Sequence, residues 1–253
     1  MLTIEGLSRH FGGVYALRDV DMAVARGELR GVIGPNGAGK STLFHLIAGH
    51  LRADHGGVTF AGRRLDRLPA HRRAALGIAI VFQEARVFRG MTVRENVMVG
   101  AHAATRAGFW TAALRLPAHA REERLIRARA DAALARVGLD GWADRPAETL
   151  PLGRQRSLQL ARALCAEPRL LLLDEPASGL RAAEREALAG LIADLRRTGL
   201  TIMLVEHDVG LVTRLADRIT VLDLGRVIAE GTPEQVRGDP RVVAAYLGEE
   251  AGS

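Results

Sequence analysis

Cysteine is nearly absent from this sequence. Cys165 is the only one, so no internal disulfide and no cysteine metal cluster can form. Its setting, Ala163-Leu164-Cys165-Ala166, reads as a buried helix face. Aromatic residues are scarce as well, at 4% against 48% hydrophobic residues overall, so the core must be aliphatic. No stretch approaches the ~18 consecutive apolar residues of a membrane-spanning helix. Glu5 and Arg9 interrupt the start of the chain before any apolar block develops, which argues against a signal peptide and for a protein that stays in the cytosol. There is no internal repeat and no low-complexity linker. Lysine is almost missing too: Lys40 is the only one, and every other basic residue is arginine. The net charge of +6 raises the question of a nucleic-acid or anionic-membrane partner. The arginines, however, are scattered among Ala and Glu and form no block, which reads as solvated helix faces.

At 253 residues the chain is long enough for one α/β domain with a large core and a grafted subdomain. Residues 2 to 33 alternate like strands. A Gly-rich turn at 34–39 leads into a helix through Ala48, with Gly49 suited to the stop. Val58–Phe60 reads as a short strand and Gly77–Phe82 as a buried one. From about Glu84 to Leu164 the texture becomes Ala/Arg/Glu-rich and helical, clearest over Ala120–Val137. β/α alternation then returns. Leu170–Leu173 reads as a central strand, Ala182–Arg197 as a helix and Thr201–Val205 as a buried strand. Ile219–Ile228 reads as a hairpin about Leu224-Gly225. Thr232-Pro233-Glu234-Gln235 carries a capping-box pattern with Pro at the first helical position, and Asp239-Pro240 starts another helix.

Four segments carry chemistry. Gly34-Pro35-Asn36-Gly37-Ala38-Gly39-Lys40-Ser41 fits the phosphate-binding loop G-x4-G-K-[ST] between a strand and a helix. Its glycines, with Asn36 and Ala38, let backbone N–H groups surround phosphate oxygens. The helix beginning there, with Thr42 in its first turn, presents its positive end. Lys40 supplies a compact charge for the outer phosphates, and the Ser41 hydroxyl a ligand for Mg²⁺. Leu170-Leu171-Leu172-Leu173-Asp174-Glu175 is an apolar strand ending in two carboxylates; beside a phosphate loop these read as the Mg²⁺ aspartate, Asp174, and a general base, Glu175. His207 follows the Thr201–Val205 strand, in the position to sense the γ-phosphate, and Gln83 follows the 78–82 strand, where it can touch Mg²⁺ or the attacking water.

With these residues the chain resembles the ATP-binding subunits of ABC transporters over essentially its whole length. The match covers the phosphate loop, Gln83, the 170–175 strand, His207 and a signature segment, Leu150-Pro151-Leu152-Gly153-Arg154-Gln155-Arg156. The resemblance implies a P-loop NTPase core with an antiparallel β subdomain and an inserted helical subdomain. It implies one ABC ATPase domain over 2–238, with a RecA-like core at about 2–83 and 165–238, helices at about 84–164, and a terminal helix and tail at 239–253. It also implies that Phe11 stacks on adenine, with Tyr15 the alternative, and that Gly153 acts in trans on ATP held by a head-to-tail partner. ATP and Mg²⁺ are the implied ligands. The implied partners are a second ATPase subunit, membrane permeases and, indirectly, a periplasmic or extracellular solute-binding protein, at the inner face of the cell membrane; no nucleic acid is expected. Residues 100–137 and the ending Gly231-Thr232-Pro233-Glu234 … Ala245-Tyr246-Leu247-Gly248 resemble the larger ATPase type of the branched-chain amino acid branch. Urea or amide import and lipopolysaccharide export stand as alternatives within transport. An ABC ATPase acting on DNA or ribosomes usually carries two cassettes or a long insert, which this chain does not. Glu175 and His207 argue against a binding module without hydrolysis.

The sequence departs from the family pattern in two places. Pro151, Leu152 and Arg154 replace the Ser, first Gly and Gln of the usual Leu-Ser-Gly-Gly-Gln, and only Gly153 fits. Arg181 ends Ser178-Gly179-Leu180-Arg181 where the family has Asp or Asn, which bears on communication between paired sites.

Overall fold

The computed structural model describes residues 1–84, 86–104 and 117–250. Two sheets organise it. Strands β1 (Leu2–Phe11), β2 (Val14–Val24), β4 (His55–Phe60) and β5 (Arg63–Arg64) form an antiparallel sheet in the order β2-β1-β4-β5. The second sheet runs β10 (Arg226–Gly231), β9 (Arg218–Asp223), β3 (Leu29–Ile33), β8 (Thr201–Val205), β7 (Leu170–Asp174), β6 (Ile78–Val81). All of its pairings are parallel except β10 against β9.

The buried β7 run shows why a leucine repeat makes a strand here. Leu170 and Leu172 point to one face, where they join Leu43, Phe44 and Ile47 and the antiparallel sheet. Leu171 and Leu173 point to the other, where they meet the helices. A parallel strand covered on both faces has no polar side, so its sequence shows no alternation. The Gly77–Phe82 run was expected to be fully buried for the same reason. It is instead the edge strand β6, and Ala79 and Ile80 are only half-covered.

Helices α1 (Lys40–Ala48), α2 (Ala70–Ala75), α3 (Val93–Met98), α4 (Pro117–Arg136), α5 (Leu152–Cys165), α6 (Ala182–Arg197), α7 (Val209–Leu215), α8 (Pro233–Arg237) and α9 (Pro240–Glu250) complete the described structure with short 3₁₀ turns. Between 84 and 164 no described residue lies in a strand longer than a single bridge. Ile126, Ala130 and Leu134 of α4 and Leu158, Ala161 and Leu164 of α5 share one apolar cluster with the sheet face. Part of the 100–137 segment, residues 105–116, lies outside the described residues. Strand β5 and helices α2 and α7 carry no sequence signal strong enough to have been expected.

Local punctuation behaves as its chemistry requires. Leu224 and Gly225 both take positive φ, 43° and 77°, as a tight hairpin turn between β9 and β10 demands. Thr232 caps α8 in a capping box with Gln235, and Pro233 follows at the first helical position. Two buried arginines hold elements together. Arg73 gives Nη1 to the Leu46 and Ile47 carbonyls at the end of α1, at 2.5 and 2.9 Å. Arg30 binds the Ala23 carbonyl, Thr220, Glu28 and Glu230 and so ties the two sheets.

Candidate functional site

Parallel strands align their carboxyl ends, and four of the chemistry-bearing segments leave from those ends. β3 runs into the loop 34–39, β6 into Gln83, β7 into Glu175 and β8 into His207. A cleft of about 190 Å³ opens there, lined by Ala16, Asn36, Gly37, Ala38, Gly39, Lys40, Ser41, Thr42, Glu175 and His207.

The loop is a backbone cradle. Gly34 has φ 149°, and a Cβ there would run into the Leu222 carbonyl of β9. Gly39 has φ 102°, and a Cβ there would run into the Ala16 carbonyl of β2. Both glycines are therefore required by close backbone approach as well as by φ. The loop closes onto α1, whose N-terminal end favours an anion. Lys40 is 5% exposed and gives Nζ to the Gly34 and Pro35 carbonyls at 2.6 and 2.8 Å. The ammonium is thus held inside the loop's curve.

On the facing side, Ser41 Oγ donates to Asp174 Oδ1 at 3.2 Å. Burial pushes the Asp174 carboxyl above the usual range, against the pull of the Ser41 hydroxyl; the Glu175 charge adds to the rise. A buried carboxylate beside a hydroxyl is a hard oxygen pair that fits a divalent cation. Among the described residues no group of three His, Cys, Asp or Glu forms a metal cage. A cation there would take its remaining ligands from phosphates and water, the usual mode for Mg²⁺.

Glu175 is the most constrained residue of the site. Its φ is 49°, a left-handed conformation that costs a non-glycine residue roughly 1–2 kcal/mol. Its N–H donates to the Val205 carbonyl at 2.9 Å, which extends the β7–β8 ladder one residue beyond the strand. Gln83 Nε2 donates to Glu175 Oε2 at 2.8 Å, and His207 Nε2 lies 2.6 Å from Glu175 Oε1. Two residues far from Glu175 and from each other in sequence thus converge on its carboxylate.

Neither Phe11 nor Gly153, the latter expected to act only on a partner's nucleotide, lines this chain's own cleft. Phe11 is 45% exposed at the β1–β2 hairpin and does not line the cleft, although Ala16 of that hairpin does. The Arg9 guanidinium lies 4.7 Å from the centre of the Phe11 ring, and that of Arg18 5.2 Å from the Tyr15 ring. Gly153, in the first turn of α5, lines a separate cavity of about 520 Å³ and faces Glu184 of α6, whose carboxylate fills the space a Cβ would need. The departures also acquire local explanations. Pro151 is the N-cap residue of α5, and Arg154 stacks on Trp142 at 3.8 Å, with Arg145 at 4.3 Å from the same ring.

Sequence reasoning overlooked Glu206, which is buried beside the site and accepts the Ala177 N–H at 2.7 Å. The available signal was an acid following five apolar or β-branched residues without an intervening turn. Cys165 is buried as expected, and burial pushes its thiol up to about 11.

Comparison with known proteins agrees with this geometry. Residues 17–178 match the ABC transporter family model, and residues 226–252 match that of the branched-chain amino acid ATP-binding cassette transporter. The chain is 41% identical over 250 residues to the high-affinity branched-chain amino acid transport ATP-binding protein LivG of Salmonella typhimurium, covering 98% of each chain. It is 40% identical over 250 residues to BraF of Pseudomonas aeruginosa, named for the same transport, again covering 98% of each. Among solved structures, a nucleotide-free ATP-binding cassette from an ABC transporter superposes with a TM-score of 0.84 at 29% identity, covering 97% of this chain and 98% of that one. A bacterial ABC transporter cassette solved as a dimer superposes at 0.78 and 26% identity, covering 92% of this chain and 99% of that one. No helix among the described residues is long and apolar enough to cross a membrane. A phosphate cradle, a carboxylate clasped by Gln83 and His207, and full-length likeness to transporter cassettes lead to one conclusion: the chain belongs to the ABC transporter ATP-binding family and is an ATPase subunit coupled to transport.

Proposed function

We propose that this chain hydrolyses ATP to drive import of branched-chain or related amino acids, paired head to tail with a second ATPase subunit on membrane permeases. The match of residues 226–252 to the branched-chain model and the names of LivG and BraF support the solute class. In this reading a solute-binding protein delivers the solute to the permease from the periplasm or the outside, and the chain sits at the inner face of the cell membrane. The RecA-like core spans about 2–83 and 165–238, the helical subdomain about 84–164, and a terminal helix and tail 239–253.

In this reading each residue of the site has a role. Backbone N–H groups of the loop from Gly34 through Gly39, with Ser41 and Thr42 at the start of α1, hold the phosphates. Lys40 turns its ammonium from the Gly34 and Pro35 carbonyls to the outer phosphates. Ser41 and Asp174, with Gln83, hold Mg²⁺, whose chemistry is to neutralise charge on the phosphoryl oxygens. Glu175 accepts the proton of the attacking water, and His207 and Gln83 orient it and the γ-phosphate. Phe11 stacks on adenine, and Gly153 reaches the nucleotide of the partner subunit.

The observation that carries this reading is the Glu175 carboxylate, fixed by Gln83 and His207 at the mouth of the cradle. Glu175→Gln tests it. Hydrolysis should slow by on the order of 10²–10⁴, the scale of a positioned general base. ATP should still bind, and the variant should accumulate as an ATP-held dimer on size exclusion. Wild-type turnover would move the base elsewhere.

A further inference from the structure

The turn that follows Glu175 has to hold a strained backbone in place. The Glu175 carbonyl accepts the Ser178 N–H at 3.2 Å, and the Ala177 carbonyl accepts the Leu180 N–H at 3.1 Å. These bonds shape the turn but do not attach it to the rest of the molecule. Besides the packing of Ala177 in the core, hydrogen bonds to the turn come from two charged side chains on different elements, one buried and one half-buried. Glu206, 4% exposed and directly after β8, accepts the Ala177 N–H through Oε1 at 2.7 Å. Arg156 of α5 donates Nη2 to the Ser178 carbonyl at 3.3 Å. Its Nε and Nη1 are buried without a hydrogen-bond partner among the described residues.

We propose that Glu206 is a positioning residue for ATP hydrolysis: by holding the Ala177 N–H it fixes the turn from which Glu175 projects its carboxylate. The proposal rests on the reading of Glu175 as the general base. Three features separate this role from simple packing. A left-handed φ at a non-glycine residue persists only where the surroundings over-determine it, and Glu206 supplies an anchor from outside the turn. The Glu206–Ala177 bond is buried, so no water competes for the amide, and moving the acceptor would leave a buried donor unsatisfied. Finally, Glu206 immediately precedes His207, so one peptide unit sets both the grip on the turn and the imidazole that meets Glu175 Oε1. The electrostatics fit a carboxylate between two charges. Burial raises the Glu206 carboxyl, the Ala177 N–H pulls it down, and the Glu175 charge raises it further. Burial lowers the Arg156 guanidinium, and the Glu206 charge offsets part of that.

The test separates reach from charge. Glu206→Gln keeps an acceptor at the same reach without the charge; Glu206→Asp keeps the charge and shortens the reach by one methylene. With full-length chain, steady-state ATPase, fluorescent-nucleotide affinity and thermal unfolding are measured for both. Displacing a catalytic group by about 1 Å costs about 10²-fold, so Glu206→Asp should lower kcat by about 10–10²-fold with KM for ATP within about threefold, and Glu206→Gln should stay near wild type. Retention by Asp with loss by Gln would show that charge, not the hydrogen bond, matters, and would overturn the proposal. Parallel loss of nucleotide affinity and stability in both variants would make Glu206 merely structural and overturn it equally. Glu175→Gln in the same assay isolates the underlying reading. If that variant is inactive while Glu206→Asp turns over normally, only the positioning role falls; if it is fully active, the base assignment itself falls.

Discussion

The phosphate loop and the signature segment both rely on glycine, yet the structure holds them in different ways. At Gly34 and Gly39 the obstacle to a side chain is backbone: carbonyls of β9 and β2 that belong to the sheets. At Gly153 the obstacle is the end of a flexible side chain, Glu184. The loop is complete within one chain, because strand, loop and helix are contiguous. The signature segment lines none of its own cleft and presents a proline cap, an exposed Leu152 and an Arg154 stacked on Trp142. A glycine closed in by backbone leaves no room for a side chain, whereas one bounded by the end of a side chain gains room once that side chain moves.

The largest test of that contrast is Gly39→Ala. It combines a disallowed φ with a collision against the Ala16 carbonyl, together about 2–5 kcal/mol. Nucleotide binding should fall by at least about 10²-fold by fluorescence titration, and unchanged binding would mean the loop can yield after all.

Asp174→Asn probes the same half of the site from the opposite direction. Burial raises the Asp174 carboxyl. A raised carboxyl stabilises the fold below its unfolded value, and that contribution is lost as pH rises through the folded value. At neutral pH the ionised Asp174 therefore opposes the nucleotide-free fold. Asn should raise Tm, by roughly 2–4 °C for each kcal/mol released, while MgATP hydrolysis falls by about 10²-fold. A lower Tm would show the carboxylate is already compensated.

The signature half should respond more softly. Gly153→Ala pushes on the Glu184 side chain, which also caps α6 through the Arg181 N–H, so Gly153→Ala/Glu184→Ala should be less destabilised than the two single variants summed, with a coupling of about 0.5–3 kcal/mol in a denaturation cycle. ATP affinity of the single chain should stay within about twofold throughout, because the cleft is elsewhere. Additive effects would place the constraint on Gly153 outside this chain. Gly153→Asp would set a second carboxylate beside Glu184 as well as beside a partner's nucleotide, so the alanine series gives the cleaner reading. The smallest effect expected is that of Arg154→Ala, which removes one cation–π contact with Trp142. It should cost about 0.5–2 kcal/mol of stability by urea denaturation and leave ATP affinity untouched.

How much of this was legible beforehand depended on sequence separation. Residues 34–42 and 170–175 carry their geometry locally, in glycines, a lysine and a strand that ends in two acids. Helix α6 and strand β8 match the expected bounds because periodicity and burial pattern agree along them. The short α2 and α7, of 6 and 7 residues, left no comparable period. The exposed edge of β6 could not be distinguished from a buried strand, because an apolar run does not state how many neighbours it has.

The sequence by itself determined the phosphate cradle of residues 34–42 and the strand that ends in Asp174 and Glu175, each from residues a few positions apart, where covalent geometry leaves few alternatives; the resemblance of these motifs to a known family implied that they meet in an ABC-type ATPase. Only the tertiary structure decided that Gln83 and His207 meet on Glu175, that Glu206 grips the turn behind it, and that Glu184 occupies the space at Gly153. Those contacts join residues 29 to 92 positions apart. Their pairing is set by strand order in the sheet, a long-range packing outcome that no local pattern encodes.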